Sequence, residues 1–128
     1  ILVYTTGMGV TQFVLDPHLG EFFLSDPEVR VPPDGRTFSA NEANASTWPE
    51  PVRRFAATFR HPPSPSRYIG SMVSDVHRTL VEGGVFAYPS DSKNPSGKLR
   101  LMYEANPMAF ILEQAGGLAL SGPDSILD

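Results

Sequence analysis

Proline and glycine punctuate this chain so densely that no long regular element can form in it. The 128 residues include 13 Pro and 11 Gly, roughly a fifth of the total, which is high for a globular protein and below low-complexity levels. Each proline lacks an amide donor, and each glycine frees the backbone for turns. Many turns joining short strands and helices are therefore expected. Coiled coil, collagen and disordered tail are excluded by the same punctuation combined with 41% hydrophobic and 19% charged residues, which suits one ordinary globular domain. No apolar run approaches the roughly 20 residues that cross a bilayer, and no basic start leads into a signal-like stretch. A soluble chain with no membrane partner is expected.

Other chemistry falls away on simple counts. With no cysteine, disulfides, zinc thiolates and thiol nucleophiles are impossible. Ten basic residues against 14 acidic ones give a net charge of -4, which argues against a nucleic-acid partner. The chain opens on the β-prone run Ile1-Leu2-Val3-Tyr4 and stops just after Ile126-Leu127, so a piece of a longer protein is expected.

Turn signals place the elements. Residues 1–6, 10–15 and 21–24 are rich in β-branched and aromatic side chains, separated by Gly7-Met8-Gly9 and Asp16-Pro17-His18-Leu19-Gly20; three consecutive strands in a meander are predicted. A loop follows over 26–40, with a short strand at 28–31. Val52, Phe55, Ala56 and Phe59 share a helical face within 49–60, and a proline-rich loop covers 61–66. Residues 71–82 place Met72, Val73, Val76 and Leu80 on one face, with Asp75, Arg78 and Glu82 elsewhere, before Gly83-Gly84 ends the helix. Residues 85–88 read as a short strand stopped by Pro89, and 90–98 as a polar loop. Asn106 is expected to cap a helix with Pro107 at its first position and Met108, Ile111, Leu112 and Ala115 on its apolar face; Gly116-Gly117 ends it before a strand at 118–121. Strands first and then alternating helices and strands argue for an α/β fold, a mixed β-sheet with helices packed on its faces.

The charges are unevenly spread. Residues 67–100 carry Arg67, Arg78, Lys93, Lys98 and Arg100 against Asp75, Glu82 and Asp91, whereas the remainder carries 5 basic and 11 acidic residues. A locally basic stretch with Tyr68 and Tyr88 as hydroxyl donors suits a small phosphorylated ligand; a solvated surface of mixed charge reads the same way. Lys98 and Arg100, two apart on an extended segment, would face one ligand or protect a sheet edge. Glu104, two residues before Asn106, would complement a helix dipole or ligate a divalent metal, although one carboxylate holds no metal cluster alone. His18, His61 and His77 lack metal-ligand spacing and read as structural or surface residues. Gly7-Met8-Gly9 matches neither phosphate-loop pattern and reads as a turn; no nucleophile elbow is present. Trp48 before Pro49 is expected to anchor a loop by packing.

Longer runs carry a family signature. Arg67-Tyr68-Ile69-Gly70-Ser71-Met72-Val73-Ser74-Asp75-Val76-His77-Arg78, Gly97-Lys98-Leu99-Arg100-Leu101-Met102-Tyr103-Glu104-Ala105-Asn106-Pro107 and Glu113-Gln114-Ala115-Gly116-Gly117 resemble the C-terminal half of class I fructose-1,6-bisphosphatase. Leu15-Asp16-Pro17, Leu19-Gly20-Glu21-Phe22 and Phe38-Ser39-Ala40-Asn41-Glu42 agree, so the resemblance spans nearly the whole chain. It implies a Mg2+-dependent sugar phosphatase, cytoplasmic and of the bacterial type, that removes the 1-phosphate of fructose 1,6-bisphosphate in gluconeogenesis or the Calvin cycle. Residues 1–128 would be its C-terminal substrate-binding domain, with the N-terminal metal and catalytic half outside this chain.

The resemblance also implies roles. Asn41, Tyr68 and Tyr88 would hydrogen-bond the 6-phosphate, Lys98 would reach the phosphate and furanose, and Met72 would line the sugar pocket, with Phe86 and Ala87 in the substrate-binding set. Arg67 would project into a neighbouring subunit's site in a homotetramer. Arg100 would lie nearer the reacting phosphate, and Glu104 would be the one metal ligand from this half. The chain alone would be inactive. Where the family usually has Gly and a nearby Tyr after Asn41-Glu42, this chain reads Ala43-Asn44-Ala45, which removes one phosphate donor; the segment from 44 to 67 is also shorter and richer in proline. A sedoheptulose-1,7-bisphosphatase, a bifunctional form and a non-catalytic sugar-phosphate-binding module are the alternatives.

Overall fold

Asp16 shapes the first turn of the chain. Its Oδ1 accepts the His18 and Leu19 amides at 2.8 and 3.2 Å, and Gly20 supplies the left-handed backbone, φ 70°, that reverses direction. The computed structural model describes residues 1–60 and 64–128, and places that turn between β2 (Thr11–Asp16) and β3 (Glu21–Asp26). With β1 (Leu2–Tyr4) these form the expected antiparallel meander in the order β1-β2-β3. Of the expected proline-rich loop, residues 61–63 lie outside the described residues.

The described residues divide into two compact units, Ile1–Val31 with Leu101–Asp128, and Pro32–Arg100. In the first, residues 28–31 form no strand: the Val29 amide donates to Val10 O and the Val31 amide to Ala115 O, two single ties in different directions. Gly7-Met8-Gly9 is the expected turn, with Thr5 Oγ1 donating to Gly9 O at 2.6 Å. Residues 101–105 form one π-helical turn that runs directly into the helix Asn106–Gln114. Asn106 is consequently the first residue of that helix and not its cap; Ala105 occupies the cap position in helical conformation and makes no side-chain cap bond. A chain already helical before Asn106 leaves no extended residue to cap. The unit ends in a hairpin of Leu120–Ser121 and Asp124–Ser125. Phe22, Phe23 and Leu24 of β3 are about half exposed, at 49, 52 and 56%.

The second unit is built around two strands of two residues each. The strand β4 (Phe38–Ser39) pairs in parallel with β5 (Val85–Phe86), and the Ala87 amide extends the ladder by donating to Ser39 O at 2.8 Å. Beneath them Phe38, Ala40, Trp48 and Ala56 form a buried cluster with Val52, Phe59, Val85 and Ala87 packed on it. Trp48 anchors its loop as expected, 5% exposed. The helix α1 (Glu50–Thr58) carries Phe55, which meets Phe59 edge-on, while Phe59 stacks on Phe38 with ring centres 4.9 Å apart. The helix α2 (Met72–Glu82) ends at Gly83, φ 72°. Gly83 and Gly84 do more than end it: the loop backbone at Gly35 crosses them so closely that a Cβ on Gly35 would overlap Gly83 and Gly84 atoms.

Asp75 departs most from its expected place. It is fully buried beside Val76, Thr79 and Leu80, whereas Val73, assigned to the apolar face, is 63% exposed. The reason is a polar network. The Asp75 carboxylate accepts Ser39 Oγ at 2.7 Å, the Ile69 and Gly70 amides at 3.1 Å, and Arg78 Nη2 at 2.8 Å, so β4, α2 and the segment before α2 converge on it. Parallel and antiparallel pairing both occur and helices accompany the strands, as the α/β assignment requires; the described strands are distributed over three small sheets.

Candidate functional site

Ligands of α/β folds gather where parallel strands end. Three residues on from Phe38, the chain leaves β4 at Asn41 and enters a 3-10 segment, Glu42–Thr47, that carries Asn44. Beyond β5, Ala87, Tyr88 and Pro89 leave in parallel. Between these exits lies a small, solvent-open cleft lined by Asn41, Asn44, Trp48, Ala87, Tyr88, Pro89, Asp91 and Lys98.

Lys98 reaches the cleft because the loop before it is folded into turns. Asp91 Oδ1 accepts the Lys93 amide at 2.9 Å, the Asn94 amide at 2.7 Å and Asn94 Nδ2 at 2.8 Å. The Gly97 amide then donates to Asn94 O at 3.0 Å, and the Ser92 amide ties the loop to Thr47 O at 3.3 Å. Asp91 Oδ2 is 3.6 Å from Lys98 Nζ. Its Asn94 side-chain bond, with the two amides and the Lys98 charge, holds the Asp91 carboxyl below the ordinary carboxylate range despite its partial burial.

The structure therefore brings together Asn41, Ala87, Tyr88 and Lys98 among the residues named from sequence. Arg67, Tyr68, Met72, Phe86 and Arg100 lie outside this lining. Arg67 is exposed, and its amide donates to Phe38 O at 3.0 Å. Tyr68 and Met72 are half-buried on either side of Gly70, and Phe86 is half-buried in β5. Lys98 and Leu99 sit in a bend and no strand forms there, so the expected shared facing of Lys98 and Arg100 on an extended segment does not arise. Turns that close the 91–97 loop leave no straight run of backbone.

Glu104 lies in the π-helical turn of the first unit, half-buried. Two residues on, Asn106 Oδ1 is buried with no protein hydrogen-bond donor. Both are hard oxygen donors of the kind Mg2+ takes, but that ion needs near-octahedral oxygen coordination. No group of three His, Asp or Glu side chains placed to hold a metal occurs among the described residues. These atoms fit part of a magnesium shell.

Sequence reasoning missed Asn44 and Asp91 as cleft residues. Asn44 was visible only as a departure from the usual pattern. Asp91 had a local signal, an Asp three residues before Asn94 in a polar loop, which is the spacing of a side-chain-closed turn.

Amide, phenol and ammonium groups thus meet at the ends of paired parallel strands in an α/β domain. Its lineage is specific: the family described as "Fructose-1-6-bisphosphatase, C-terminal domain" matches residues 31–128, and the chain belongs to the fructose-1,6-bisphosphatase family. It is 52% identical over 132 residues to the cytosolic fructose-1,6-bisphosphatase of a Saccharum hybrid, covering 99% of this chain and 38% of that protein. Identity to the class 1 enzyme of Cytophaga hutchinsonii is 52% over 134 residues, covering 100% of this chain and 39% of that one. The holo crystal structure of Leishmania major fructose-1,6-bisphosphatase superposes with a TM-score of 0.93 at 45% identity, over 98% of this chain and 40% of that one. The chain thus spans about two fifths of the length of these relatives. No helix among the described residues is long and apolar enough to cross a membrane.

Proposed function

We propose that the full-length protein is a Mg2+-dependent sugar bisphosphatase that hydrolyses the 1-phosphate of fructose 1,6-bisphosphate to fructose 6-phosphate and phosphate, and that this chain binds the sugar and its 6-phosphate. One observation carries the reading: Asn41, Tyr88 and Lys98, which the family resemblance assigns to the 6-phosphate, line one cleft at the ends of β4 and β5. The Lys98 ammonium offers a compact positive charge, and the Asn41 amide and Tyr88 hydroxyl offer directed donors. Fixing the distal phosphate this way orients the rest of the sugar, so binding energy remote from the reacting bond goes into positioning.

When bound, Mg2+ stabilises charge on the transferring phosphoryl group. Glu104 would give it one oxygen ligand, and the remaining ligands would come from outside this chain. The exposed side chain of Arg67 suits its assigned reach into a neighbouring subunit of a homotetramer. Cytosolic relatives support a cytoplasmic location.

The test is phosphate release from fructose 1,6-bisphosphate with magnesium, by this chain and by the full-length protein, and the same assay on sedoheptulose 1,7-bisphosphate. Activity is expected only in the full-length protein and on the fructose ester. There, Lys98→Ala should raise KM about ten- to a hundredfold, the worth of a charged hydrogen bond. An unchanged KM would remove Lys98 from the phosphate site.

A further inference from the structure

A cleft that takes phosphate has no evident need of a carboxylate, yet Asp91 lines it. Its two oxygens are used very differently. Oδ1 is saturated by three N–H donors, from the Lys93 amide, the Asn94 amide and Asn94 Nδ2, all within 2.7–2.9 Å. Oδ2 meets the Lys98 ammonium only at 3.6 Å, beyond hydrogen-bond distance. The carboxylate side chain is 11% exposed and the lysine 44%. Asp91 is therefore fixed by its own turn and would stay in place without Lys98, whereas the lysine is held by charge alone and can swing.

We propose that Asp91 is a built-in counter-anion of the cleft, a fixed negative charge that competes with a bound phosphate ester for Lys98 and so limits how tightly the site holds its ligand. This rests on the reading that the cleft binds phosphate. It extends that reading to a specificity-determining residue. A phosphate dianion drawn to Lys98 also comes within roughly 6 Å of a fixed unit negative charge, and repulsion at that range in a solvent-open cleft is worth about tenfold in affinity, less once salt screens it. Before a ligand arrives, the same carboxylate keeps the ammonium at the cleft edge. For an enzyme whose product retains the distal phosphate, a weakened grip favours release.

Asp91→Asn is the discriminating substitution, because an asparagine keeps the Oδ1 acceptor for the Lys93 and Asn94 amides while removing the charge. Asn94→Ala does the converse: it loses a turn contact and keeps the charge. Binding of inorganic phosphate at pH 8 is measured by calorimetry on the full-length protein, with KM and kcat for the bisphosphate alongside. The expected result for Asp91→Asn is about three- to tenfold tighter phosphate binding that fades at high salt, with a lower KM and a kcat that does not rise; Asn94→Ala gives no tightening. Unchanged or weaker binding in Asp91→Asn, with wild-type melting behaviour, overturns the proposal and leaves Asp91 a structural prop for Lys98. Phosphate binding that is absent in the wild type, or indifferent to Lys98→Ala, overturns the cleft reading itself and the proposal with it.

Discussion

Replacing Asp75 with asparagine tests whether the network that joins β4, α2 and the segment before α2 carries the stability that its geometry implies. The side chain is fully buried, and Ser39 Oγ, the Ile69 and Gly70 amides and Arg78 Nη2 all donate to it. Asparagine has the same shape but one acceptor oxygen, and its NH2 would face one of those donors. Arg78, whose side chain is only 13% exposed, would lose its counter-charge where water barely reaches it. Removing one member of a buried ion pair costs about 3–5 kcal/mol. An unfolding entropy of about 2.1 cal/mol/K per residue converts that into a fall in Tm of roughly 11–19 °C for a chain of this length. Thermal melts followed by circular dichroism, with urea titrations to check that the m-value is unchanged, measure it. The Asp75→Asn, Arg78→Met double variant should lose less than the sum of the single ones, because an apolar replacement leaves no orphaned charge. A Tm drop under about 3 °C in the single variant would refute the reasoning, since the network would then be worth no more than a surface pair.

Three further outcomes follow from the same structure. Burial alone would raise the Asp75 pKa, but the bonds from Arg78, Ser39, Ile69 and Gly70 outweigh it and hold the carboxyl below its ordinary value. The stability it contributes is therefore present above the unfolded pKa of about 3.9 and lost as pH falls through the lower folded value; urea midpoints measured from pH 6 downward should fall more steeply in the wild type than in Asp75→Asn. Gly35→Ala should cost about 3 kcal/mol, the upper range of overpacking, because its Cβ would overlap the Gly83–Gly84 backbone. Gly116→Ala, which has a left-handed φ of 83° but open space around it, should cost about 1–2 kcal/mol by the same urea assay.

Local chemistry wrote most of the first unit legibly into the sequence. The meander follows from strands separated by turns whose residues have one good conformation each, and in the second unit α2 ends where Gly83 must. The pairing of β4 with β5 could not be read in that way. Two-residue strands separated by more than forty residues leave no periodicity, and parallel pairing has no turn signature. Helical spacing sets Asp75 off the apolar face of α2, because a charged residue breaks an apolar stripe; its partners Ser39, Ile69 and Gly70 are distant or precede the helix, so that spacing could not announce them. Asn106-Pro107 carries a capping signal that the π-helical turn before it overrides. At the cleft, Asn41 and Lys98 are legible in the family-like runs and Tyr88 as a hydroxyl donor within the basic stretch, whereas Asn44 and Asp91 take their positions from how two loops close over the strand ends.

Main chain joins the two strands whose ends carry the cleft. Val85 N–H to Thr37 O and Ala87 N–H to Ser39 O, both 2.8 Å, make that join without drawing on any side chain that projects beyond them. Asn41, Asn44 and Tyr88 can thus change identity while the join stays where it is. If the cleft takes a sugar phosphate as proposed, recognition is interchangeable on a fixed seam, and a switch from one such ligand to another requires edits in two short loops with no redesign of the strands they leave.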